Sequence, residues 1–259
     1  ESDGRALAWH ASHLLTCGAR LTIGAPLAGH YAYLHVGGGI AVAPVLGGRA
    51  THLTARLGQF LAAGDRLPIG TDQGGETGLA LSIRPRFAGG QVRLVPSLQT
   101  ALFAENDIAR FEATTFTRDP RANRMGIRLS FDGAGFQSSA GLSVVSDVVL
   151  PGDVQITGDG TPFVLMPDCQ TTGGYPRLGA VLPCDLPIVA QAPAGAALRF
   201  AFVDMTEGLK AERAARAAMA DLARHCQPLI RDPRDMADLL AYDLISGLSA
   251  GDELELDVI

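Results

Sequence analysis

The sequence predicts a mainly β protein, a barrel or a sandwich, closed by a helical tail. Three observations carry this prediction: short β-prone runs repeat along most of the chain, glycine-rich turns separate them, and the texture changes abruptly to Ala, Arg and Glu at Asp204. Strands this short and this regularly spaced argue against a doubly wound α/β sheet.

The runs are read in order. Tyr31–Val36 and Ala41–Leu46 are β-prone and are punctuated by Gly37-Gly38-Gly39 and Gly47-Gly48. A Gly-, Thr- and Asp-rich loop at Thr71–Gly78 precedes a second series: Gln91–Pro96, Phe111–Thr117, Gly126–Phe131, Ser143–Val149, Val154–Ile156, Phe163–Met166, Ala180–Leu182 and Ala197–Phe202. At Asp204-Met205-Thr206-Glu207 the spacing is that of a capping box, so a helix is expected to start there. Leu209, Met219, Leu222, Cys226 and Leu229 follow at three- and four-residue steps as one apolar stripe. Asp232-Pro233 announces a second helix ending near Gly247. The expected organisation is an N-terminal β subdomain over residues 1–90, a barrel portion over 91–203 and a helical extension over 204–259. The chain begins at Glu1 without Met and enters a strand region almost at once, so the natural start is expected upstream.

Composition narrows the function classes. A chain of 259 residues can bury a proper core without disulfides or metals. Its formal net charge of −6 disfavours a nucleic-acid backbone as partner, because such binding requires clustered cations. Lys210 is the only lysine and no G-x-x-x-x-G-K-[ST] run occurs, so neither Schiff-base chemistry nor a Walker loop is expected. Cys17, Cys169, Cys184 and Cys226 form no C-x-x-C pair, which points to reduced cysteines in a cytoplasmic protein and away from a zinc ribbon. His10 and His13 stand three apart without evident further ligands, so no metal is expected. No apolar run reaches membrane-spanning length.

Four clusters could carry chemistry. The loop Pro167–Arg177 combines the Asp168 carboxylate, the Arg177 cation, donors and acceptors from Gln170, Thr171, Thr172 and Tyr175, and Gly173-Gly174, which lets backbone approach a ligand. That set suits a small polar or anionic molecule, and equally an ordinary β-hairpin loop. Arg124 and Arg128, four apart around a strand entry, would point the same way and could clamp a carboxylate or phosphate, or line a solvated edge. Ser146-Asp147 with Leu150–Gln155 offers Gln155 as an amide hydrogen-bonder. The glycines of 37–39 and 47–48 lack the strand and helix context of a dinucleotide site. No residue can be assigned to proton transfer from spacing.

The order of these clusters is more informative than any one of them. Tyr33-Leu34-His35-Val36-Gly37-Gly38-Gly39-Ile40, then Pro44–Thr51, Asn123–Leu129, Leu150–Ile156, Gly158-Asp159-Gly160 and Asp168–Gly179 succeed one another as in the KipA family, also called allophanate hydrolase subunit 2 or the biotin-dependent carboxyltransferase family. The chain resembles that family from about Leu21 to Val203, and most resembles its stand-alone bacterial members, the C subunits of 5-oxoprolinase. The resemblance implies a cyclophilin-like β-barrel and a KipI-like (B) partner together with an A subunit. It implies an ATP-dependent activity, with Mg, that opens the lactam of 5-oxo-L-proline to L-glutamate, the chain being inactive alone. On this reading Arg124 and Arg128 hold anionic groups, while Gln170, Thr171, Thr172 and Tyr175 orient the ring or phosphate. Two other roles are compatible with the family: carboxyl transfer from biotin to urea, or regulatory binding of a KipI-like partner. The family often carries arginine where this chain has Cys169, so no basic role passes to that position. Roughly the first quarter of the family's length is also absent here.

Overall fold

The computed structural model describes residues 1–52, 55–82, 86–141 and 143–230. Its elements, in chain order, are β1 (Leu79–Leu81), β2 (Gly90–Val95), α1 (Glu105–Ala113), β3 (Phe116–Arg118), β4 (Gly126–Ser130), β5 (Asp147–Val148), β6 (Asp153–Ile156), β7 (Pro162–Leu165), β8 (Thr172–Gly173), β9 (Arg177–Val181), α2 (Leu186–Gln191), β10 (Ala197–Phe202), α3 (Met205–Ala220) and β11 (Cys226–Pro228). Seven strands close a barrel in the order β10-β2-β9-β6-β7-β4-β3, which decides between barrel and sandwich. One neighbouring pair, β10 with β2, is parallel, and the other barrel pairs are antiparallel.

Alternation explains the inner face. Val92 and Leu94 on β2, Ile127 and Leu129 on β4, and Leu198 and Phe200 on β10 are fully or almost fully buried at every second position. Each such side chain contributes roughly 1.5–3 kcal/mol on burial. Part of the core is built from aromatic rings: Phe111, Phe116, Phe131, Phe136 and Phe200 meet with centroids 4.8–6.1 Å apart. All four residues of β6 are buried, because its outer face is also covered.

Several elements depart from the sequence reading. The run Phe111–Thr117, expected as one strand, is the end of α1 followed by β3. Glu105 and Asp107 favour the helix start, Arg110 ion-pairs with Asp107 and lies over the Phe136 ring, and Phe111 takes the buried face. Of the expected strand Ser143–Val149 only Asp147–Val148 is a strand. Between Glu1 and Gly78 there are isolated bridges but no strand among the described residues, so Tyr31–Val36 and Ala41–Leu46 are not strands. The glycines there serve close backbone approach: a Cβ on Gly38, whose φ is +78°, would lie 2.2 Å from the carbonyl oxygen of Gly70.

Helix α3 starts where expected, with the Asp204 carboxylate accepting the Glu207 N–H at 2.7 Å. Its apolar stripe does not form as expected. The helix ends at Ala220, Leu222 lies in a short 3-10 turn, and Cys226 belongs to β11, which pairs antiparallel with β1. The contact with the barrel is made by Gly208, where a Cβ would stand 3.0 Å from Val95 and 3.2 Å from Leu182, while Leu209 and Met219 are exposed. The helix expected from Asp232 to Gly247 lies outside the described residues.

Candidate functional site

The covered outer face of β6 is where the sequence-predicted loop lies. After β7 the chain turns at Met166–Cys169, crosses over β6 and rejoins the barrel as β9. Within this crossing, β8 pairs with β5, matching Thr172 to Val148 and Gly173 to Asp147. Backbone bonds extend the ladder on both sides: Val149 N–H donates to the Thr171 carbonyl at 3.2 Å and Val144 N–H to the Gly174 carbonyl at 2.7 Å. The register between β6 and β9 shifts between Val154 and Gln155, an irregularity that turns the Arg177 end of β9 toward this excursion.

Arg177 anchors it. The guanidinium, only 12% exposed, pairs with Asp147 and Asp153 and donates to the Val148 carbonyl at 2.8 Å. Asp153 also accepts the Leu150 N–H at 2.9 Å, so the Leu150–Asp153 turn is tied to the same cation. On the barrel side, Gln99 accepts the Arg177 N–H at 2.9 Å and Ser97 donates to the Arg177 carbonyl at 2.8 Å. Arg177 is therefore a structural hub with its charge already neutralised.

Gln155 lies beneath the β8 crossing. It is 3% exposed and its Nε2 has no hydrogen-bond partner among the described residues. A Cβ on Gly173 would stand 2.6 Å from that atom and 3.3 Å from the Gln170 amide nitrogen, so glycine is what lets the two amides converge. Above it, Gln170, Thr171, Thr172 and Tyr175 are exposed, and none of their side chains makes a hydrogen bond among the described residues. The result is a rigid ladder presenting a row of free polar groups over one unsatisfied buried amide. Cys169, beside this row, has its thiol pushed up by burial and then by the Asp153 charge, so it stays protonated and neutral.

The two remaining arginines are not brought together as a clamp. Arg124 joins the loop, donating to Asp168 through Nη2 (3.0 Å) with its Nε 2.9 Å from the other carboxylate oxygen, while Asp168 N–H returns a bond to the Arg124 carbonyl. Arg128 instead donates to Asp119 at 3.1 Å and to Thr161 at 3.4 Å, facing a polar cleft it shares with Ser130 and Asp159. Each cation of the expected pair thus faces a carboxylate of this chain, Asp168 for Arg124 and Asp119, which Arg121 shares, for Arg128. Asp119 is held well below the usual carboxylate range by Arg121 first and Arg128 as well. The sequence reading missed Asp147, Asp153 and Asp119 as partners. Their only local signal is an acidic residue near an arginine-bearing strand, which does not identify a pairing.

The matching sequence profile is that of the carboxyltransferase domain, subdomain A and B, over residues 1–202, and the chain belongs to this family. Among curated relatives, it is 34% identical to the C subunit of 5-oxoprolinase from Escherichia coli (strain K12) over 203 residues, which is 77% of this chain and 64% of that protein. It is 32% identical to the C subunit of 5-oxoprolinase from Haemophilus influenzae over 191 residues, 71% of this chain and 60% of that protein. The chain thus spans somewhat under two thirds of these relatives. The crystal structure of Kluyveromyces lactis urea carboxylase superposes with a TM-score of 0.65 over 83% of this chain and 22% of that one, at 22% identity, which shows a shared fold.

Proposed function

We propose that this chain is part of the C subunit of an ATP-dependent 5-oxoprolinase, acting with A and B subunits to open 5-oxo-L-proline to L-glutamate. The observation that carries the reading is the row of unengaged side chains at Gln170, Thr171, Thr172 and Tyr175, held rigid by the Arg177 network. The names of the relatives support the assignment of that row to this reaction. An unactivated lactam is a poor electrophile, so ATP is expected to phosphorylate its oxygen, and neutral donors on a rigid frame suit the orientation of a carboxylate, an amide and phosphoryl oxygens. Since Arg124, Arg128 and Arg177 each face a carboxylate, donors of this chain position the substrate and cations for phosphate come from a partner protein of the complex. Among the described residues no three His, Cys, Asp or Glu side chains converge as a metal set, so in this reading Mg travels with the nucleotide. No helix among the described residues is long and apolar enough to cross a membrane. The proposed location is the cytoplasm, in keeping with four unbridged cysteines.

The test is reconstitution with A and B subunits and measurement of glutamate released from 5-oxoproline with ATP. Thr172→Ala and Tyr175→Ala are expected to lower turnover at least tenfold while leaving complex formation intact. Unchanged turnover in both overturns the role of the loop. The carboxyltransferase name of the family favours one second reading, carboxyl transfer from biotin to urea. Loss of label from a carboxybiotin carrier that depends on urea, without glutamate release, would establish it.

A further inference from the structure

Three arginines of this molecule turn their side-on edge, the parallel Nε–H and Nη2–H pair, to a carboxylate. Arg93 donates through it to Asp185 at 2.8 and 2.7 Å and Arg121 to Asp119 at 2.9 and 2.7 Å, while Arg124 sets its Nε 2.9 Å from one Asp168 oxygen and donates through Nη2 to the other at 3.0 Å. Three times a carboxylate fills that fork.

Arg118 departs from the pattern. It ends β3 on the face of Phe116 and, across the ladder, of Leu129, both fully buried, and it is itself only 4% exposed. Its Nη1 donates to the Nε2 of His30 at 3.0 Å, but its Nε is buried without a partner and its Nη2 makes no hydrogen bond among the described residues. No carboxylate among the described residues pairs with it. Burial lowers its pKa from the ordinary arginine value, opposed only by the Tyr31 phenol. His30 must be neutral at Nε2 to accept from a guanidinium, and its other ring nitrogen is left for the carbonyl of Ala192. The strap that carries His30 and Tyr31 is stapled by one side chain at the end of α2. Gln191 Oε1 accepts the His30 and Tyr31 N–H groups at 2.7 and 3.0 Å, and its Nε2 donates to the Tyr31 carbonyl at 2.8 Å.

A buried cation without a counter-ion is costly to hold, and the free edge has the shape that carboxylates fill elsewhere in this chain. We propose that Arg118, under the His30–Tyr31 strap, is a binding site for a small carboxylate, which takes Nε–H and Nη2–H bidentately while Nη1 stays on His30. The site is separate from the loop over β6, since Arg118 lies on the core-facing side of its strand, and it does not rest on the oxoprolinase reading.

Acetate is the probe. The full chain, labelled with 15N-arginine, is titrated with sodium acetate against sodium chloride and sodium phosphate at constant ionic strength. One slowly exchanging Nε–H resonance, that of a buried arginine, is expected to move saturably with acetate and not with chloride. Arg118→Gln removes that resonance and weakens acetate binding at least tenfold. The proposal is overturned if no buried Nε–H responds to acetate in the wild-type chain, or if Arg118→Gln binds acetate equally well. An equal response to phosphate overturns the carboxylate assignment. The wild-type titration decides even if the variant does not fold.

Discussion

The barrel between Gly90 and Phe202 and the segment between Glu1 and Gly78 are both rich in apolar residues, yet they fold differently. In the barrel, Leu94, Phe116 and Leu198 are fully buried, whereas in the segment Leu27, Tyr33 and Leu46 are 99%, 83% and 90% exposed. The difference lies in pairing. Every barrel strand has a neighbour on both edges, while the segment's β contacts are single bridges such as Ile40 with Ile69 and Val45 with Gly48. A β-prone run is a potential strand, and whether it becomes one depends on a partner elsewhere in the chain. The largest expected effect follows. Phe116→Ala, in the middle of the aromatic cluster, should cost about 3–5 kcal/mol in urea unfolding followed by far-UV circular dichroism, while Leu27→Ala should change stability by less than about 0.5 kcal/mol. Comparable losses in the two variants would mean that the segment is as deeply cored as the barrel.

A second contrast runs through the site itself, between the buried network that holds the loop and the exposed side chains it presents. Arg177→Met leaves Asp153, whose side chain is 8% exposed, without its cation and is expected to destabilise the protein by about 3 kcal/mol. Thr172→Ala should change stability by less than about 0.5 kcal/mol, because its hydroxyl has no partner to lose among the described residues. Equal stability effects would show that the presented row is part of the scaffold.

How much of this was legible in the sequence depends on the range of the interaction. Strands whose inner residues alternate strictly, such as Ala197–Phe202 and Gly126–Ser130, were readable from local pattern, as was the cap at Asp204. Helix α1 is hidden in the sequence because Phe111 and Phe116 look like one aromatic β run. The helical signal was the acidic first turn with Ile108 and Phe111 three apart. The loop's residue types suit a ligand contact and an ordinary hairpin alike, and what singles it out in the sequence is its place in an ordered series of motifs. What local pattern could not show is which arginines are spent on internal carboxylates. Arg124 with Asp168, Arg128 with Asp119 and Arg177 with Asp153 are tertiary pairings, and the lack of one at Arg118 among the described residues is likewise set by the tertiary fold. Gln191, which staples His30 and Tyr31 from 160 residues away, carries no local signal at all.

The smallest effect sharpens the comparison of the arginines. Asp119 is depressed far below the usual carboxylate range, first by the Arg121 guanidinium and then by Arg128, so its contribution to stability has a definite sign. Its folded pKa lies below its unfolded value near 3.9, so the unfolded chain binds the proton more readily; the stabilisation is complete above that value and disappears as pH falls through the folded one. Arg121→Gln removes the larger influence and leaves Arg128 at 3.1 Å, which raises the folded pKa part of the way back. Stability in Arg121→Gln should therefore fall slightly at pH 7, the loss being small because Arg121 itself is exposed, and the difference from wild type in urea unfolding should shrink as pH drops through the folded value. The Asp119 carboxyl 13C resonance should titrate at a higher pH in the variant. An unshifted titration would mean that Arg128 alone sets the Asp119 charge, and that Arg128, unlike Arg124, belongs wholly to the scaffold.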